Sequence, residues 1–440
     1  MEQVARSIKD ACNGHIHLAI VTHEHWDHVS GFSEHQARAV FDEIQIDQVW
    51  YAWTEDPSPR NKLGNKLRHE REAKVRTLRQ AAIALNGMAS PLAVDRAQRI
   101  NTLLSFFGFD SSEDIAKDLS ANAEESIGKT RSAFDYLSKR SGVSVRYCRP
   151  TDDPVMLAGG NVRAYVLGPP EDEDLIKRSA PSKAGREVYE VSSELFMDQQ
   201  LETAFERLSG TVANDRENCP FETAFQIDIA SSTLMSPELL ALKTATWDQE
   251  PWRQIDSDWT AIAESLALNL DQHTNNTCLV IAFELVATGQ VLLFAADAQV
   301  GNWLSWQDVK WTLKSDPTMR EQEISGPDLL ARTVFYKVGH HGSHNATLRA
   351  AGLEQMTSKD LIAFVPVDKS QAEKNRWHEM PFEPLMNRLR EKTAGRVVRS
   401  DATVEPDLAN DLSDTEKRKF LERLYRSQVE NAPYWEIQIP

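Results

Sequence analysis

The chain predicts a mixed α/β fold carrying a helical insertion, on three observations. A short apolar strand, Ile16 to Val21, runs directly into a cluster of histidines. Apolar residues at helical spacing then fill most of 57–142. Further on, Cys278 to Leu285 and Gln290 to Ala296 are two β-type runs joined through Thr288-Gly289, the pattern of a hairpin. Strands interleaved with helices at both ends imply sheets with helices packed against them.

Each element follows from local pattern. Residues 1–13 read as a helix with Val4, Ile8 and Ala11 on one face, stopped by Gly14. After the strand 16–21 come a helix at 35–44 and a strand near Gln48 to Trp53. In the insertion, Leu63, Leu67, Leu78, Ala82 and Leu85 form one stripe, and Ile115, Leu119, Ile127, Phe134 and Leu137 another. Gly142 ends it, and Val143 to Cys148 and Val162 to Leu167 return as strands, closed by Gly168-Pro169-Pro170. The stretch 171–256 is acidic, polar and weakly periodic, which suits an excursion or small lid rather than core. Ser257 then caps a helix carrying Trp259, Ile262, Ala263, Leu266 and Leu270. Beyond the hairpin lie strands at Thr333 to Val338 and Leu361 to Val367, a helix at Phe382 to Lys392, and a strand at Arg396 to Arg399. We read 1–440 as one domain with these two insertions.

Composition narrows the function classes. Hydrophobic residues make up 41% and charged residues 26%, enough for an ordinary core. The net charge of −17, from 66 acidic against 49 basic residues, repels nucleic acid and anionic membranes at long range, so a polyanionic substrate needs locally placed cations. Cys12, Cys148, Cys219 and Cys278 form no C-x-x-C pair, no apolar signal core precedes His15, and no run is long enough to cross a bilayer. The expected setting is a reducing cytoplasm, with no membrane contact.

The chemistry concentrates in Thr22-His23-Glu24-His25-Trp26-Asp27-His28. His23 and His25 alternate along an extended segment, so their imidazoles point the same way and can hold one cation. Asp27 and His28, one turn on, are placed for a second. Imidazole with carboxylate suits zinc, with manganese or iron as alternatives.

These residues match the H-x-H-x-D-H signature of the metallo-β-lactamase superfamily. The chain also resembles the branch typified by the hydrolase domain of bacterial DNA-uptake competence proteins. The further resemblance lies in Asn275-Asn276-Thr277-Cys278-Leu279-Val280, Leu292 to Asp297, and Lys337-Val338-Gly339-His340-His341-Gly342-Ser343. It implies an αββα sandwich binding two divalent cations, zinc or else manganese. By the resemblance Asp297 bridges the two cations, His341 completes the second site, and His340 faces substrate. The catalytic set is then Asp27, Asp297 and His340, with His23, His25, Asp27, His28, Asp297 and His341 as ligands. Ser343, His344 and Asn345 follow on a loop as donors to substrate oxyanions. Water held between the cations is the expected nucleophile.

Two departures from that pattern stand out. The superfamily's further histidine ligand has no counterpart besides His273 in a polar turn; Asn275 and Asn276 occupy its segment, which leaves the first site short of ligands. The amino-terminal β-hairpins of the family are also missing, since only 21 residues precede Thr22. A partner chain or an upstream segment is therefore expected to complete the sheet beside Ile16 to Val21.

The expected activity is hydrolysis of a phosphodiester or other phosphorylated substrate, nuclease-like, with nucleic acid among the candidate substrates. The alternatives are hydrolysis of a lactone, amide or thioester, and a non-catalytic metal-binding interaction module. Eight cations between Arg60 and Arg79 (Arg60, Lys62, Lys66, Arg68, Arg71, Lys74, Arg76, Arg79) read as a solvated helix face, with a phosphate-tracking surface as the sharper alternative. Trp303 and Trp306 are assigned to the core.

Overall fold

Side chains of a strand alternate between its two faces, so a strand buried on both sides needs apolar residues at odd and even positions alike. The central strands here have them. The structure is a computed structural model describing residues 1–86, 91–109, 129–178, 236–247, 258–313, 321–345, 347–374, 380–427 and 434–439.

Strands β1 (His15–Ile20), β2 (Gln45–Ala52) and β3 (Ser144–Cys148) form a parallel sheet in that order, with β1 at its edge. A second sheet takes β4 (Val155–Leu157), β5 (Val162–Gly168), β6 (Val280–Leu285) and β7 (Gln290–Phe294). The chain then makes a small antiparallel pair, β8 (Lys310–Leu313) and β9 (Gln322–Ser325). It rejoins the second sheet as β10 (Thr333–Lys337), β11 (Ile362–Val365) and β12 (Val397–Arg399), and ends in the pair β13 (Leu424–Arg426) and β14 (Trp435–Ile437). The seven-stranded order is β12-β11-β10-β7-β6-β5-β4. Pairing is antiparallel from β4 to β7 and parallel from β7 through β12.

Three apolar clusters fix the layers. Trp50, Ala52, Cys148, Ala164, Val166, Leu279 and Ile281 meet between the two sheets. The other face of the three-stranded sheet, with Val49 and Tyr51, is covered by Ala5, Val40, Phe41, Phe134 and Leu137. The outer face of the seven-stranded sheet, with Tyr165, Val280, Ala282 and Leu293, packs on Trp303, Leu330, Met386 and Leu389. Each large side chain so buried contributes roughly 1.5–3 kcal/mol. Trp303 and Trp306 are fully buried with ring centroids 3.9 Å apart, as expected of core residues.

The insertion has a core of its own. Helices Lys62–Asn86 and Pro91–Ser105 pack with Asp258–Asn276 around Leu78, Ala82, Leu85, Ile100, Leu104, Leu266 and Leu270. Of the second expected stripe, Phe134 and Leu137 sit under the three-stranded sheet, while Ile115, Leu119 and Ile127 lie outside the described residues. So do 179–235 and 248–257 of the acidic excursion, including the expected cap Ser257, and the side chains of Trp259, Ile262 and Ala263.

Local expectations need four corrections. In helix Glu2–Ala11 only Ala5 is buried; Val4 and Ile8 face outward, because the helix rests on its small residue. The helix at 35–44 shrinks to Arg38–Asp42, with turns on either side. At the start of Lys62–Asn86 the buried positions are Gly64 and Arg68, not Leu63 and Leu67. Strand β4 and the outlying pairs β8 with β9 and β13 with β14 were not expected, since runs of three or four residues are too short to show a period. No helix among the described residues is long and apolar enough to cross a membrane.

Two hydrogen bonds place the end of β1. The Val21 N–H donates to the Trp50 carbonyl in its own sheet (3.0 Å), and the Leu279 N–H donates to the Thr22 carbonyl from the other (2.8 Å). The histidine motif therefore leaves β1 where the two sheets meet.

Candidate metal centre

Past Val21 the chain stays extended, and its alternation brings His23 Nε2 to 3.2 Å from His25 Nδ1. A single helical turn, Trp26–Val29, then turns Asp27, which stays exposed, and half-buried His28 toward the strand ends. The Thr22 hydroxyl contacts Nδ1 of His23 (3.2 Å) and of His28 (3.4 Å), which leaves both Nε2 atoms facing the interior.

The other half comes from the carboxyl ends of the parallel strands. Asp297 follows β7, and His340 and His341 follow β10, its neighbour in the sheet. The His340 N–H donates to Asp297 Oδ1 (3.0 Å). His341 Nδ1 bonds to the Pro366 carbonyl beyond β11 (2.8 Å), so its Nε2 turns to Asp27 Oδ2 at 2.8 Å. His28 Nε2 reaches Asp297 Oδ2 at 3.0 Å. Donor atoms of Asp27, His28, Asp297 and His341 all lie within 4.8 Å of one another. This arrangement needs strained backbone: Ala296, His340 and His341 have φ of 48°, 43° and 52°. Such left-handed residues cost on the order of 1–2 kcal/mol each, and strain of this kind concentrates at functional sites. Gly342, at φ 73°, permits the next step of the turn, because a Cβ there would come within 3.1 Å of Val365 and 3.3 Å of Pro381.

The charges describe a site balanced by protons. Burial pushes the Asp297 carboxyl up, but the charge and hydrogen bond of His28 outweigh it and hold it well below the usual range. For Asp27, burial is likewise outweighed by His28 and by the hydrogen bond from His341. Burial alone would lower His341, yet Asp27 and Asp297 push it up to about 9, and the same carboxylates raise His28. The two carboxylates thus favour the charged forms of both imidazoles, where a divalent cation would supply the same positive charge. His23 and His25 behave oppositely: burial drives His23 well down and His25 to about 3, so both are neutral and fit to ligate. The donor chemistry therefore fits a metal.

One residue escaped sequence reasoning. Asp271, on Asp258–Asn276, brings Oδ1 to 3.8 Å from His25 Nε2, a buried nitrogen with no hydrogen-bond partner among the described residues. Burial, then Asp297 and Asp27, push its carboxyl up to about 8. It stands near the position for which a histidine was sought. His273 instead lines a cavity with Thr54, Glu55 and Arg68. Asn275 donates to Asp271 Oδ2 (3.2 Å) and lies 3.5 Å from His340 Nε2. Asn276 is a buried structural hub, donating to the Ile176 and Arg178 carbonyls and accepting from the Gln299 and Asn302 N–H groups. The available signal was helical: Asp271, Thr274 and Asn275 continue the buried face of Leu266, Ala267 and Leu270 with polar residues.

Three expected substrate donors are placed otherwise. Ser343 and Asn345 are buried and bond to His340 Nδ1 (2.8 and 3.1 Å) and to each other (2.7 Å), because the tight turn after His341 folds them back. His344 turns away into a cavity of about 440 Å³ lined also by Phe382 and Arg388. His340 stays outside the four-donor group, and burial keeps its pKa low. The basic stretch changes meaning too. Arg71 bonds Glu24 (2.8 Å) and Glu55 (3.1 Å), and Arg131 bonds the same two carboxylates (3.0 and 2.8 Å). Arg68 donates to the Thr54 and Asp56 carbonyls, and Arg79 lies buried over the Phe109 ring. Three of the eight cations are internal and belong to neither a solvated face nor a phosphate track.

No family model matches the chain, and no curated protein or solved structure matches it either.

Proposed function

We propose that this protein is a metal-dependent hydrolase of the metallo-β-lactamase type, an αββα sandwich with a binuclear centre. The observation that carries the reading is the convergence of Asp27, His28, Asp297 and His341 beside the facing nitrogens of His23 and His25. The sandwich reading is supported by the order of layers, with helices, two sheets and helices separated by the three apolar clusters. Zinc is the favoured metal and manganese the alternative.

Two divalent cations held there supply Lewis acidity that activates water and neutralises charge at the attacked centre. The chain's own residues do the rest. His23 and His25 would hold one cation and Asp27, His28 and His341 another, with Asp297 shared by both sites. Asp271, 3.8 Å behind the outer nitrogen of His25, stands where an outer carboxylate would orient a ligand histidine. The Ser343 hydroxyl donates to Asn345 Oδ1 and so accepts from a protonated His340 Nδ1, which leaves Nε2, 3.5 Å from the Asn275 amide, as the nitrogen that would take a proton from water or substrate.

The proposed reaction is hydrolysis of a phosphodiester or another phosphorylated substrate. A neutral lactone, amide or thioester is the second reading, and one observation favours it. Asp27 and His341 open into a cavity of about 360 Å³ among Trp26, Phe106, Val367, Ala372 and Met380, with Asp368 and no lysine or arginine among its described lining residues. Turnover of a bis-aryl phosphodiester and of a lactone, compared at equal zinc content, separates the two. Hydrolysis of neither, in protein that carries zinc, would sink both.

A further inference from the structure

We infer that the protein carries a second, separate cation site at the far end of β1 from the metal centre, formed by His15, His17 and Asp47. His15 and His17 are two apart on one strand, so both imidazoles share a face. Their rings lie 4.2 Å apart, tilted by 33°. The parallel register pairs Ile16 with Ile46 and Leu18 with Gln48, which puts Asp47 of β2 beside His17. His15 Nε2 is 2.9 Å from Asp47 Oδ2, and one donor atom from each of the three residues lies within 4.8 Å of the others. The Gln45 side-chain amide donates to Asp47 Oδ1 (3.0 Å) and so turns Oδ2 toward the imidazoles.

A surface ion pair between His15 and Asp47 accounts for two of the three residues and is worth only about 0–1 kcal/mol. It gives no reason for His17 to stand over His15. Two imidazoles and one carboxylate suit a borderline divalent transition cation, zinc above all, over magnesium or calcium, which prefer all-oxygen sites. His17 is exposed and His15 and Asp47 are half-buried, so water would complete the coordination. The consequence is mechanical. β1 is the edge strand that delivers the histidine motif, and a cation here ties its first turn of sequence to β2.

The test is equilibrium dialysis of the untagged full chain against zinc(II), with metal counted per chain, for wild type, His17→Ala, Asp297→Asn and the double variant. His17 is exposed and its removal leaves the His15–Asp47 pair in place, so folding is not at issue. His17→Ala is expected to bind about one zinc fewer than wild type at unchanged hydrolytic turnover. The same difference should separate Asp297→Asn from the double variant, which keeps this result independent of the central site. Equal zinc counts with and without His17 in both backgrounds overturn the inference, as does a loss of turnover in His17→Ala.

Discussion

The motif Thr22–His28 packs its donors into a few consecutive residues, whereas Asp297, His340 and His341 arrive from the ends of two neighbouring strands, and the two halves are held by different means. The motif half is held from outside. Glu24 is locked by Arg71 and Arg131, Arg71 coming from the long helix of the insertion, and burial of Glu55 is outweighed by the same two arginines, which hold it down to about 2. The Phe106 carbonyl accepts from the Trp26 N–H at 2.7 Å, and Phe106 and Phe107 pack on the His25 ring at 5.6 and 5.1 Å. The strand-end half is held by backbone, through left-handed residues and the hydrogen bond from His340 to Asp297. The difference makes the insertion part of the candidate metal centre rather than an ornament on it. It also locates the strain in the half whose supports, Ser343, Asn345 and the Pro366 carbonyl, come from its own loops rather than from the insertion.

The largest effect should come from breaking the place where the halves meet. His28→Ala and Asp297→Asn, one from each half, are each expected to lose bound metal and to lower turnover on the order of 10³-fold or more. If one of them keeps its metal and its rate, the halves do not form one site.

Next in size is the outer support of the motif half. Arg71→Ala leaves Glu24 and Glu55 buried with half their partners, and denaturant unfolding should show a loss of about 3–5 kcal/mol. Zinc affinity, measured in the same variant, should fall by roughly 10–100-fold, as for other outer supports of ligands. Arg388→Ala, which breaks the half-exposed pair with Glu354, serves as the contrast and should cost about 1 kcal/mol or less. Comparable losses at both positions would remove the distinction drawn for the insertion.

A smaller effect is set by pH. In metal-free protein, His341 raised to about 9 and Asp271 raised to about 8 both bind protons in the folded state that the unfolded chain has released. Their contributions are complete below their unfolded pKa values, about 6.5 and 3.9, and are lost as pH rises through the folded ones. Metal-free protein should therefore lose stability as pH rises, through both groups between about pH 6.5 and 8 and through His341 alone up to about 9, and zinc should flatten the slope by replacing the protons. A denaturation midpoint independent of pH without metal would contradict this charge balance. The smallest effect is expected at Ala296→Gly, which relieves a left-handed φ and should stabilise the chain by about 1 kcal/mol or less.

These contrasts follow what could be read in the sequence. The motif half was legible because His23, His25, Asp27 and His28 are local, and strand alternation followed by one helical turn orients them without help from the rest of the fold. Asp297 and His341 became visible only through resemblance, as residues at strand ends. Asp271 was not legible, since a lone aspartate on a helix announces nothing until the helix is docked against His25. The same holds for Glu24, Arg71 and Arg131: their pairing spans 47 and 107 residues, and sequence alone reads such charges as solvated. Ser343 and Asn345 misled because their chemistry suits oxyanions, while the tight turn at Gly342 directs them to His340. The longer strands of the two sheets were found, and the short β4, β8, β9, β13 and β14 were missed for want of a period.

The central claim is a two-cation centre that the motif and the strand ends build together. Its most direct test is zinc titration of chelator-stripped protein in the His17→Ala background, with turnover followed throughout. The account predicts no turnover before zinc, recovery complete at about two equivalents, and no recovery in Asp297→Asn. Undiminished hydrolysis by the stripped protein, or full recovery with Asp297 replaced, would contradict it.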